Sequence, residues 1–169
     1  MAPDTFETAR LLLRPVTVAD VDAIFDSYAQ DEEVVRYLIW RPHRSRSETQ
    51  VYVERCMATP AEVERTYMLV GRGDNVVRGA FALRQRAAHR LDCGYVLARP
   101  WWRQGLMTEV LTEVGLGVAP AFSVPHRRGV RCREHRFGPR VGEIRFHTRG
   151  PAASMAAAPE HQRRTARLL

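Results

Sequence analysis

Short apolar runs of strand character alternate with stretches of helical apolar spacing through the first two thirds of the chain, and the pattern then stops. Ala9-Arg10-Leu11-Leu12-Leu13-Arg14-Pro15 predicts a first strand. Thr17 is placed to cap a helix from about Val18 to Leu38, where apolar positions recur at helical spacing. A second helix is expected over Arg46 to Thr59. Tyr67 to Gly71, the turn Gly73-Asp74-Asn75 and the run Val76 to Arg84 together predict a hairpin. Arg90 to Ala98 predicts a further strand, ended by Arg99-Pro100, and a third helix opens near Gly105. Beyond Val114 helical spacing ends. Pro120, Pro125, Pro139, Pro151 and Pro159 interrupt a stretch of Arg, Gly and Ala that offers little core.

The turn between the last strand and the third helix carries the first chemical signal. Trp101-Trp102-Arg103-Gln104-Gly105-Leu106-Met107-Thr108-Glu109-Val110-Leu111 follows a strand and opens a helix, the layout of a backbone anion hole. The first N–H groups of a helix lack intrahelical partners, and its macrodipole adds about half a positive charge there, so a phosphate is stabilised at that point. Gly105 lets the backbone approach such a ligand closely. The alternative is an ordinary strand-to-helix turn.

Length and composition narrow the class. A chain of 169 residues suits one domain with a real core. Residues 1–114 are expected to form it and 115–169 to add an Arg- and Pro-rich irregular tail. Met1 to Pro15 lacks the basic and apolar regions of a signal peptide, and no segment approaches the ~18–20 apolar residues of a membrane span. Cys56, Cys93 and Cys132 are scattered and odd in number, which fits a reducing cytoplasm better than a disulfide framework. All 26 basic residues are arginine. Residues 1–114 hold 15 Arg against 16 acids and residues 115–169 hold 11 against 3, so the net charge of +7 belongs to the tail. Such a tail would bind nucleic acid through phosphates, but arginine is also frequent in GC-rich DNA read out of frame. Cys132, His135 and His147 lack a fourth partner and match no zinc spacing.

Residues 9–114 resemble the GNAT N-acetyltransferases, most closely the branch that includes the ribosomal-protein-alanine N-acetyltransferases. Four features carry the resemblance: the opening TARLLLRPVTVADVDAIF, the second-helix region, the strand DCGYVLARP and the turn WWRQGLMTEVL. It implies an α/β fold with a mixed, mainly antiparallel sheet flanked by helices. It implies acetyl transfer from acetyl-CoA to a primary amine, either a protein N-terminus or a small molecule. The alternatives are a non-catalytic acyl-CoA-binding remnant, or nucleic-acid binding through the tail.

By that resemblance the diphosphate is held by backbone N–H groups of Gln104, Gly105, Leu106, Met107 and Thr108, with Arg103 as a charge partner where relatives often carry glycine. Tyr95, Val96 and Leu97 would hold the pantetheine arm through their main chain, and a nearby N–H would polarise the thioester carbonyl. Asp92 stands where many relatives carry a glutamate that deprotonates the amine, which makes it the candidate base; the other reading is a solvated surface carboxylate. His89 is a second titratable group nearby. Trp40, Trp101, Trp102 and Tyr37 would wall the acceptor side or serve as core. No metal is expected.

The family's late Asn-x-x-Ser helix start and the strand after it have no counterpart here. If the stretch from Phe122 onward is back-translated and read one base later, synonymous codons supply that missing sequence. A change of reading frame near Val114–Gly115 is therefore expected, at the same place as the charge break. Loss of the late strands would leave a sheet edge and an apolar face uncovered, which favours self-association.

Overall fold

The computed structural model describes residues 2–36, 38–87, 90–118, 131–137 and 141–147, with side chains through Leu116 except around the 87–90 turn. Its centre is a hydrogen-bonded sheet of β1 (Phe6–Glu7), β2 (Leu11–Pro15), β3 (Glu64–Gly71), β4 (Val77–Ala87), β5 (Arg90–Leu97), β6 (Arg131–Phe137) and β7 (Val141–His147). The spatial order is β1-β2-β3-β4-β5-β7-β6, and every pairing among these strands is antiparallel.

Alternation along the strands separates two apolar layers. Leu11, Leu13, Tyr67, Leu69, Phe81, Leu83, Leu91, Cys93 and Leu97 face α4 (Leu106–Val118), which buries Leu106, Met107, Val110 and Val114 against them. Burying each of these helix side chains stabilises the fold by about 2 kcal/mol. Met68, Val70, Ala80 and Val96 face the other way. They pack under Ile24 of α1 (Val21–Ile24), Val34 of α2 (Glu32–Val35) and Val53 of α3 (Arg46–Ala58). The result is helix, sheet, helix in three layers.

The hairpin forms as β3 and β4, and its turn explains itself. Gly71 N–H donates to Val76 O (2.9 Å), Asp74 Oδ1 accepts from Val76 N (3.0 Å), and Asn75 takes a left-handed φ of 55°. Both strands run further than the apolar run indicates, because their outer ends alternate charges instead of apolar residues. Arg84 Nε bonds Glu64 Oε2 across the ladder at 3.0 Å.

The helix expected over Val18–Leu38 is broken. A 3-10 turn at Val18–Asp20 leads into α1, a π-helical turn covers Phe25–Ala29, and α2 starts afresh after Asp31. Asp31 Oδ1 accepts from Glu33 N (3.0 Å) and Val34 N (3.4 Å), so it serves as an N-cap where a continuous helix would need an interior residue. The second helix begins one residue after Ser45, which caps it through Glu48 N–H. Past Val114, α4 continues to Val118, and two stretches of the segment expected to be irregular are strands. β7 pairs with β5 from Arg90↔His147 to Gly94↔Glu143, and β6 lies outside it.

Candidate active site

Two features converge where β5 ends. The β7 pairing stops at Gly94, while β4 follows β5 through to Leu97. Ala98 N–H donates to Arg78 O (2.9 Å), so by strand alternation the main-chain groups of Val96 also turn to β4, and those of Leu97 and Tyr95 turn to the opposite edge. Of the three residues singled out for the pantetheine arm, two therefore present their main chain on the side that β7 leaves, and Val96 does not. Leu97 O already accepts from Trp102 Nε1 at 2.7 Å. Gly79 is required on the β4 side, because a Cβ there would lie 2.1 Å from Val96 O.

The chain then makes a 3-10 turn at Arg99–Trp101 and reverses into α4. Arg103 and Gly105 both have left-handed φ, 61° and 73°. Gly105 O accepts from Glu109 N (3.1 Å), which places Gly105 at the helix mouth and leaves the amides of Leu106, Met107 and Thr108 without intrahelical partners. Arg103, Gln104, Gly105 and Thr108 are exposed, whereas the side chains of Leu106 and Met107 point into the core. Arg103 has no ion pair among the described residues, so its charge adds to the helix dipole at the mouth.

Asp92 lies on the opposite face of β5 from Tyr95 and is 2% exposed. The solvated-surface reading is thus corrected: the carboxylate is buried on the α1–α3 side, with Arg86 Nε at 3.2 Å from Oδ2. Next to it in the β4 register stands Arg84, bonded to Glu64, and a side chain at Gly94 would meet the Arg84 guanidinium at 3.1 Å. The buried acid is paired with a base whose side chain is 51% exposed, so the ion pair is desolvated on the carboxylate side alone.

A family model described as an acetyltransferase (GNAT) domain matches residues 10–133. The chain belongs to the GNAT acetyltransferase family. It is an acyltransferase. Similar solved structures share the fold at low identity. They include a GNAT-family acetyltransferase from Bacillus anthracis (14% identity, 84% of this chain and 96% of that one, TM-score 0.64). A GCN5-related N-acetyltransferase from Brucella melitensis is similar at 13% identity, over 86% of this chain and 81% of that one, TM-score 0.65. RimL, described as a ribosomal alpha-N-protein acetyltransferase in complex with coenzyme A, is similar at 14% identity, over 85% and 97%, TM-score 0.56. No curated protein matches in sequence.

In this GNAT chain the acceptor-side candidates fall into place unevenly. Trp101 and Trp102 are half-buried and touch both apolar layers, and the Arg78 guanidinium lies 4.1 Å over the Trp101 ring. Trp40 stacks on His43 (5.2 Å) and lines an open cavity of about 600 Å³ with Leu38, Ile39 and Glu32. The cap residue of α2 is tied to the turn, Asp31 Oδ2 accepting from Arg99 Nε at 2.5 Å. Tyr37 and His89 lie outside the described residues. Cys132 and His135 sit on β6 and His147 on β7, with side chains outside them too. No described helix is long and apolar enough to cross a membrane. Sequence reasoning missed Arg10, Glu109 and Arg86, which join partners through pairings that no local motif announces.

Proposed function

We propose that this GNAT acetyltransferase transfers acetyl from acetyl-CoA to a primary amine. The observation that carries the proposal is the α4 mouth: three amides without intrahelical partners, left-handed residues at 103 and 105, and an Arg103 guanidinium with no ion pair among the described residues, all at the end of the strand edge that β7 leaves. That set of donors suits a diphosphate, with the Gly105 backbone close enough for contact. Acetyl-CoA supplies the thioester. The Leu97 and Tyr95 edge would align its pantetheine arm, and Arg103 would balance phosphate charge. Asp92, hydrogen-bonded by Arg86, would take the proton of the incoming ammonium directly or through water. The acceptor is a protein N-terminus or a small-molecule amine.

Coenzyme A titration followed by thermal melting tests this. Coenzyme A is expected to raise Tm in a concentration-dependent way, and Gly105→Glu, which puts bulk and negative charge at the mouth, is expected to abolish the shift while the unliganded protein still melts cooperatively. An unchanged shift in that variant overturns the seat. Stabilisation without turnover on any amine would leave an acyl-CoA-binding protein.

A further inference from the structure

The Arg10 side chain ties the turn to the start of β2. Its Nη1 donates to Gln104 O (2.9 Å) and its Nε to Glu109 Oε2 (2.8 Å), and Nη2 stands 2.8 Å from the same oxygen. The Arg10 main-chain N–H donates to Glu109 Oε1 (2.8 Å), so both carboxylate oxygens are engaged by one residue. Arg10 is itself fixed in the sheet, where its carbonyl accepts from Arg72 N (3.1 Å). Burial would raise the Glu109 carboxyl, but hydrogen bonds from Thr8 and Arg10 outweigh it and hold the group below its ordinary value, charged at neutral pH.

We infer that Arg10 and Glu109 form a clamp that positions the α4 mouth for a diphosphate, an inference that rests on the function proposed above. Two physical consequences carry it. The peptide joining Gln104 to Gly105 is planar and trans, so tying its carbonyl to Arg10 aims the Gly105 N–H to the other side of the turn. Glu109 lies in the first turn of α4, where a bare carboxylate would occupy the helix dipole and repel an incoming anion; the Arg10 fork neutralises it without withdrawing it from the helix. Lysine cannot reproduce this, because a single ammonium does not bridge a carbonyl and a carboxylate with fixed geometry. Arg10 is a positioning residue.

Calorimetric binding of coenzyme A and of pantetheine, which lacks the diphosphate, distinguishes positioning from general stability. Arg10→Ala, Arg10→Lys and Glu109→Gln are each expected to weaken coenzyme A at least tenfold and to leave pantetheine within twofold of wild type. Equal losses for both ligands would make the pair merely structural, and undiminished coenzyme A affinity would remove the clamp; either overturns the inference. Arg10→Lys binding as wild type would overturn it as well, since charge alone would then suffice. If the folded wild-type protein binds pantetheine but gains nothing from the diphosphate of coenzyme A, the seat itself falls, and the clamp's role falls with it.

Discussion

Arg103 holds a φ of 61°, a conformation that costs a residue with a Cβ about 1 kcal/mol and costs glycine nothing. Arg103→Gly is accordingly expected to raise unfolding stability by about 1 kcal/mol in denaturant melts, while lowering coenzyme A affinity through loss of the guanidinium. The two effects have opposite signs, so one variant measures what the arginine contributes at that position. Asp92 allows a similar separation. Asparagine keeps its shape and loses its charge, and Asp92→Asn is expected to lower kcat by about 10²-fold or more while the protein remains folded. A variant of undiminished kcat would reduce the Asp92 and Arg86 pair to a structural one. The candidate base was visible as a residue type on a strand, but its burial was not, because Arg86 reaches it from the neighbouring strand at a register shift that no local pattern announces.

At the level of elements, β2 to β5 and α4 as far as Val114 follow from apolar spacing, since burial against a sheet imposes that spacing, whereas α3 buries only Thr49 and Val53 and is marked by its Ser45 cap. The segment before α3 does not follow from its spacing. Residues 18–35 have helical periodicity, yet Asp31 competes for the backbone amides of Glu33 and Val34 and restarts the helix. The first turn is anchored by Asp20, whose carboxylate takes a two-point contact from Arg14 (2.9 and 2.6 Å) and one from Thr17 N (2.8 Å). Burial alone would raise the Asp20 carboxyl; the Arg14 and Thr17 bonds outweigh it and hold it below its ordinary 3.8. A lowered folded value stabilises the protein above the unfolded value and loses that contribution as pH falls through the folded one. Tm is therefore expected to be insensitive to this group near neutrality and to drop below about pH 4. Asp20→Asn should cost about 2–3 kcal/mol at pH 7 and flatten that acid limb.

At the scale of the molecule, the boundary near Val114 marks a change in composition and charge, yet the sheet does not end there: β7 and β6 continue it. Composition misses them because strand pairing is a main-chain property that tolerates an arginine-rich sequence. A frame change near Val114–Gly115 introduced by sequencing error predicts that the source DNA, sequenced across codons 110–125, has one base more or fewer than the frame of this chain; DNA that keeps this frame makes the chain a decayed or cofactor-binding remnant, which coenzyme A titration tests.

The contact between Arg10 and Glu109 spans 99 positions of sequence. Closing so long a loop is entropically costly and cannot precede synthesis of α4, so the strand made first waits for the helix made much later. The anion seat is consequently a product of late assembly: a nascent or partly unfolded chain can own most of its hairpin while having no place for a phosphate.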